Sequence, residues 1–250
     1  MNLLHCALPP QYPRADIHPN TVANLNKWKN LNSELNLKQR VYNYEECCNL
    51  IEKHFDKELL DFFKIQPYGH FKSDLWRLCA LYIDGGVYAD IDQELLVPFK
   101  DFFDDSIDFC GVTNMEKYNL SNGFIYAKKE SPIIQKNIEL TYNKYRQALS
   151  SNQNLILDVK FIGGCYIMGD VIADMNNSKE MPIGNTKIAN LNCKFLYETG
   201  DISLRDINKQ AFWNSFAVFD KDIKIMNSRY ESYYIDRHQN SLFITYERGI

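Results

Sequence analysis

The segment KSDLWRLCALYIDGGVYADIDQE, Lys72 to Glu94, joins two periodicities through a pair of glycines. Phe71, Leu75, Leu78, Cys79 and Tyr82 recur at the 3.6-residue spacing of a helix with one buried face. Gly85 and Gly86 come next, and glycine takes the left-handed backbone that helix ends commonly require, so the helix is predicted to stop there. Beyond them the period changes to two. Val87, Ala89 and Ile91 fall on one side, while Tyr88, Asp90 and Asp92 fall on the other, the pattern of a strand with one apolar face. A helix and a strand joined this tightly lie side by side. Asp74 and Arg77, three apart on one flank of the helix stripe, then meet Asp90 and Asp92 where the strand ends.

That convergence has a chemical reading. Two ionised carboxylates a few ångströms apart repel in a partly buried place, and a divalent cation between or beside them removes the repulsion. Ligands that are all oxygen point to Mg2+ or Mn2+ rather than zinc. Such an ion, holding one or two protein carboxylates, completes its shell with water and phosphate oxygens, which makes a nucleoside diphosphate derivative the expected substrate. Many D-x-D triplets sit in ordinary solvated turns. This one follows a glycine stop, faces away from three apolar residues, and has a second polar pair on the preceding helix.

The rest of the chain is consistent with a globular fold built around this unit. Its 250 residues, 45% hydrophobic and 24% charged, suffice for one sizeable core. A net charge of −4 gives no electrostatic reason to expect a nucleic-acid partner. No run reaches the roughly 18–20 apolar residues of a membrane span, and the start lacks a basic, then apolar, signal pattern, so a cytoplasmic protein without a transmembrane segment is expected. Seven scattered cysteines without a CxxC pair predict free thiols in a reducing compartment.

Along the chain, NLLHCAL reads as a strand, TVANLNKWKNLN as a helix with Val22, Leu25 and Trp28 on one face, and KQRVYNY as a strand. Trp28 is expected to pack against the first strand. CCNLIEKHFDKELLDFFKI reads as one or two helices, and DFCGVT and NGFIYAKK as strands. Ser131 and Pro132 open a helix with Ile134, Ile138, Tyr142 and Tyr145 on its core face. LILDV, CKFLYE and FAVFD are further strands, with Gly163-Gly164 breaking the chain before a short helix CYIMGDVIADM. Asn122-Gly123 is by default a hairpin turn, and Asp104-Asp105 a solvated loop. The alternation of strands and helices predicts an α/β layered fold with a mixed sheet.

The stretch SDLWRLCALYIDGGVYADID resembles the signature of glycosyltransferases with a DXD sugar-binding motif, a family that includes α-1,6-mannosyltransferases, capsular polysaccharide transferases and, distantly, the clostridial glucosylating toxins. Their pattern is S-D-x-x-R, about seven residues, then G-G-x-Y-x-D-x-D. It is matched by Ser73, Asp74, Arg77, Gly85, Gly86, Tyr88, Asp90 and Asp92. The resemblance covers residues 1–140 well and the remainder poorly. It implies a single GT-A type domain, a Rossmann-like mixed sheet flanked by helices. Residues 1–140 would form the nucleotide-sugar-binding part, and residues 141–250 the acceptor side and a C-terminal closing segment.

By the same resemblance Asp92 binds Mn2+ or Mg2+ directly, and Asp90 contacts the ribose or sugar and the metal. Tyr88 lines the nucleotide pocket, and Asp74 and Arg77 hold sugar hydroxyls, with Arg77 also near the diphosphate. Asn122 and Gly123 approach the sugar, and His238 supplies a C-terminal metal ligand, with Asn240 or Ser241 as alternatives. The function implied is metal-dependent transfer of a sugar, with retention, from a UDP- or GDP-sugar to a glycan, lipid-linked or protein acceptor. A non-catalytic nucleotide-sugar-binding module and a D-x-D phosphohydrolase are the competing readings.

Overall fold

The computed structural model describes residues 1–6, 19–66, 69–91, 93–114, 119–150, 164–200 and 215–229. Strand β1 (Asn2–Cys6) leads to helix α1 (Pro19–Leu31), strand β2 (Lys38–Tyr42) and helices α2 (Tyr44–His54) and α3 (Lys57–Ile65). The run from Cys47 to Ile65 is therefore two helices, and the caps show why. Asn43 and Glu46 form a reciprocal capping box at the start of α2, each bond 2.9 Å. Asp56 then accepts from the Leu59 amide at 2.8 Å and starts α3. In both places a short polar side chain satisfies amides that a helix start leaves open.

Helix α4 (Gly69–Asp84) is followed by strands β3 (Gly86–Ala89) and β4 (Gln93–Leu95), a 3-10 turn (Phe99–Asp101), and strands β5 (Phe109–Thr113) and β6 (Leu120–Ala127). Helices α5 (Pro132–Ser150) and α6 (Gly164–Asn176) precede strands β7 (Gly184–Ile188), β8 (Leu191–Gly200), β9 (Ser215–Asp220) and β10 (Ile223–Arg229). CKFLYE lies within β8 and FAVFD within β9, while the expected strand LILDV lies outside the described residues. Asn122-Gly123 is not a hairpin turn: both residues lie inside β6, between Ser121, which pairs with β5, and Phe124, which pairs with β3. Asp104 and Asp105 are exposed, as expected of a loop.

The strands form one mixed sheet in the order β2-β1-β3-β6-β5-β8-β9-β10-β4, with β7 added to β8. β2, β1 and β3 run parallel, as do β5 and β8, and the remaining pairs are antiparallel. Each face buries its own core. Leu75, Leu78 and Cys79 of α4 pack with Ile133 and Ile134 of α5 and Ile167 and Val171 of α6 over one face. Trp28, Leu95, Phe124, Leu196 and Val218 fill the other. Complete burial of each aliphatic side chain contributes about 1.5–3 kcal/mol. The alternation expected in β3 is present: Val87 and Ala89 join the second core and Tyr88 the first. Trp28 is fully buried in the second core. Its ring lies 5.7 Å from Phe99 and 6.3 Å from Phe124, and Nε1 donates to Gln93 O at 2.7 Å.

Among the described residues, Cys47, Cys48, Cys79, Cys110, Cys165 and Cys193 are free thiols. No described helix is long and apolar enough to cross a membrane.

Candidate active site

The joint between α4 and β3 sets the geometry. The Gly85 amide closes the helix on Leu81 O at 2.9 Å, and Gly85 and Gly86 then take φ values of 61° and 106°. A Cβ on Gly85 would lie 2.6 Å from the Lys129 backbone nitrogen, so this position is glycine for space as well as for backbone angle. Pairing of β3 ends at Ala89, three residues earlier than the VYADID pattern predicts. The Asp90 amide still donates to Gly123 O at 2.8 Å, and Gln93 N then donates to Asp90 O at 3.0 Å, closing a turn. The chain has to leave the sheet interior here because β4, three residues on, pairs with β10 at the opposite edge.

Helix α1 holds the far side of this turn. Asn24 Nδ2 donates to Ile91 O at 3.0 Å and to Gln93 O at 2.6 Å, the carbonyls on either side of position 92. With the Trp28 indole on the same Gln93 carbonyl, α1 fixes the backbone that carries the D-x-D. Asp92 itself lies outside the described residues, as do His238, Asn240 and Ser241.

Arg77 is the hub of the site. It is only 3% exposed. Its Nε donates to Ser73 O at 3.1 Å and its Nη2 to Ser73 Oγ at 2.9 Å, while Nη1 donates to Asn122 O. The same guanidinium pairs with Asp74 at 3.0 Å and with Asp90 at 3.4 Å, and its carbon lies 4.3 Å above the Tyr88 ring. Tyr88 Oη donates to Asp90 Oδ1 at 2.6 Å and meets Ser73 Oγ at 3.0 Å, and Asn122 Nδ2 donates to Asp74 Oδ1 at 3.2 Å. Asp74, Arg77, Tyr88, Asp90, Asn122 and Gly123 are thus brought together. A planar fork with fixed donors and a permanent charge is what allows one side chain to hold so many acceptors.

Residues 18–108 match the family model for the glycosyltransferase sugar-binding region containing the DXD motif. The match spans α1 through the start of β5's approach and contains Ser73, Asp74, Arg77, Tyr88, Asp90 and Asp92. Among solved structures, the chain is similar to the PaToxG glycosyltransferase, with a TM-score of 0.51, 15% identity, and coverage of 69% of this chain and 68% of that one. It is also similar to the catalytic domain of alpha-toxin from Clostridium novyi, with a TM-score of 0.43, 11% identity, and coverage of 73% and 64%. At 15% identity the PaToxG likeness is one of fold, and that fold is the GT-A type. A search of curated protein sequences finds no match.

The electrostatics of the DXD region fit a cation. One buried guanidinium faces two described carboxylates, leaving net negative charge before Asp92 is counted. Burial pushes the Asp74 carboxyl above its ordinary value; Arg77 and the Asn122 hydrogen bond oppose that shift, and Asp90 adds to it. Asp90 and Asp74, with side chains 26% and 19% exposed, are both partly open to a ligand. Among the described residues no group of three or more His, Cys, Asp or Glu side chains could hold an ion. A hard divalent cation served by one or two carboxylates plus phosphate oxygens requires no such group. Two glycines make room for the acids. A Cβ at Gly164, where φ is 71°, would lie 2.8 Å from Asp74 Oδ2, and one at Gly123 would lie 2.6 Å from Gln93 Nε2 and 3.3 Å from Asp90 Oδ2.

Several residues at or near the DXD region escape sequence reasoning. Asn24 gives no signal, since one asparagine on a polar helix is unremarked. Cys165, at the start of α6, is beside Asp74 and Asn122; burial, then Asp74, push its thiol up to about 12. Glu198 on β8 is 7% exposed, and burial pushes its carboxyl up to about 7 against a hydrogen bond from Ser121. An acid closing the apolar run CKFLYE was the available clue, but an acid at a strand end usually faces water.

Proposed function

We propose that the protein is a divalent-metal-dependent glycosyltransferase that moves a sugar from a nucleotide-sugar donor to an acceptor hydroxyl. The observation that carries this reading is the junction of Arg77 with Asp74 on α4 and Asp90 at the end of β3, within a region matching the DXD sugar-binding family. Asp90 and Asp92, with His238 or alternatively Asn240 or Ser241, would hold Mn2+ or Mg2+. The ion would supply positive charge against the diphosphate leaving group.

The chain's own residues do the remainder. Asp74 and Asn122 offer an acceptor and a donor to sugar hydroxyls, and Gly123 lets the sugar side of β6 approach closely. Tyr88 fixes the orientation of Asp90 through its hydroxyl and lines the nucleotide pocket. Arg77 presents fixed positive charge beside the departing diphosphate, so that part of the developing charge is met without reorganisation. Transfer proceeds with retention of configuration, by same-face attack of the acceptor hydroxyl. Residues 1–140 bind the donor; residues 141–250 form the acceptor side, for a glycan, a lipid-linked sugar or a protein, and the closing segment. The setting is the cytoplasm.

The test is a panel of UDP- and GDP-sugars, scored by thermal shift and by donor hydrolysis with Mn2+ and with Mg2+. The expected result is metal-dependent stabilisation and turnover of one donor, both lost in Asp92→Asn with the fold intact. Full Mn2+-dependent activity in Asp92→Asn would refute the assignment. Metal-dependent nucleotide binding without turnover of any donor would leave a binding module.

A further inference from the structure

A small recess opens among α3, α4, α5 and α6, lined by Phe62, Gln66, Asp74, Leu75, Leu78 and Thr141, with room for a group about the size of one water molecule. Carbon walls from Phe62, Leu75 and Leu78 make up much of it. Thr141 Oγ1 is already committed to Asn137 Oδ1 at 3.4 Å. Gln66 is not: it is 4% exposed, and its Oε1 has no hydrogen-bond partner. A buried acceptor left without a donor costs free energy, and native folds rarely keep one without a reason.

The backbone that carries Gln66 is also held in place. Lys72, 8% exposed, donates from Nζ to Phe63 O at 3.1 Å, to Lys64 O at 2.7 Å and to Gln66 O at 2.6 Å. All three of its protons are used to pin the end of α3 against α4. Two residues further along α4 is Asp74, which lines the same recess. The fold therefore places a buried, unpaired acceptor on a residue that lines a one-group recess, and the recess shares Asp74 with the candidate sugar site.

We propose that this recess receives one hydroxyl of the donor sugar, which donates to Gln66 Oε1 while the sugar lies against Asp74. The proposal rests on the donor-binding reading above and adds a substrate class to it. A hydroxyl fits the size and satisfies the acceptor. A methyl group fits the size but leaves Oε1 buried and unpaired, and a carboxylate is repelled by both Oε1 and Asp74. The subsite thus selects hexosyl donors over donors that are deoxygenated or oxidised to an acid at that position. Sites built to hydrogen-bond a substrate hydroxyl reject analogues lacking it far more strongly than apolar pockets reject a missing methylene.

The experiment compares donor hydrolysis by the full chain with UDP-glucose and GDP-mannose, then with the monodeoxy forms of whichever turns over. In the wild type, one deoxy position should lower kcat/KM by roughly tenfold to a hundredfold. In Gln66→Met the parent donor should fall by a similar factor, and the parent-to-deoxy ratio at that position should collapse to about one. Gln66→Asn, which keeps the amide but shortens its reach, should behave likewise and serves if the Met variant does not fold. Parent-to-deoxy ratios that match the wild type at every position in both variants would overturn the subsite while leaving the donor assignment standing. Absence of binding and turnover across the whole sugar panel in the wild type would overturn the donor assignment, and this subsite with it.

Discussion

Glu198→Gln tests whether the buried acid of β8 is a source of pH-dependent instability. Burial raises its carboxyl from an ordinary 4.5 to about 7, with the Ser121 hydrogen bond opposing the shift. The folded state therefore holds its proton more tightly than the unfolded chain does. The contribution to stability is complete below about pH 4.5 and is lost as pH rises through about 7. The full difference, at 1.36 kcal/mol for each pKa unit, is about 3 kcal/mol. Gln keeps the shape and a partner for Ser121 but cannot ionise. Unfolding in urea, measured for both proteins at pH 5, 6, 7 and 8 at constant ionic strength, should show the variant gaining on the wild type by about 2.5 kcal/mol between the extremes, since at pH 5 part of the full difference is already lost. Taking the difference between the two proteins cancels every other titrating group. A constant difference across the range would mean that Glu198 is solvated or paired, and the reasoning from burial would fail.

Other perturbations address the site and its supports. Arg77→Ala leaves Asp74 and Asp90 facing each other without their counter-charge, and should cost about 3 kcal/mol in urea unfolding as well as donor binding. A loss of binding with unchanged stability would make Arg77 a ligand contact only. Gly85→Ala forces a side chain onto the Lys129 backbone at a positive φ; it should destabilise by more than about 1 kcal/mol, read as a fall in Tm. Gly164→Ala pushes a methyl toward Asp74 Oδ2, so KM for the donor should rise more than Tm falls, and an unchanged KM would remove Asp74 from the sugar contacts. Chelation by EDTA should abolish donor hydrolysis, with recovery on adding Mn2+.

Local pattern made the centre of the fold legible, and long-range pairing hid the rest. The α4 stripe, the glycine pair and the alternation of β3 are each set by neighbours within a few residues, and all three appear as expected. So does the convergence of Asp74, Arg77, Tyr88 and Asp90, because a tight joint leaves helix and strand no other arrangement. Asn122-Gly123 misled for the opposite reason. Its turn chemistry is local, but its neighbours Ser121 and Phe124 pair with β5 and β3 and carry it inside a strand, where glycine serves close approach to Asp90 instead. Strand β7 went unread because GNTKI is polar and owes its extended form to pairing with β8 rather than to its own composition. Gln66, Lys72, Asn24 and Glu198 matter through partners on other elements, which spacing along the chain does not encode.

The pairing of β4 with β10 has a consequence for biosynthesis. Gln93, Glu94 and Leu95 register with Ser228, Asn227 and Met226, and Asn227 Nδ2 donates to Glu94 Oε2 at 3.0 Å across 133 residues of chain. The D-x-D turn is therefore fastened on one side by a segment that leaves the ribosome more than a hundred residues after it. A nascent chain that has emerged as far as residue 140 carries Asp74, Arg77, Asp90 and Asp92 yet lacks the strand that anchors the turn's exit. The site is completed only once β10 has emerged as well, so the stretch of sequence that can be read most easily cannot work by itself.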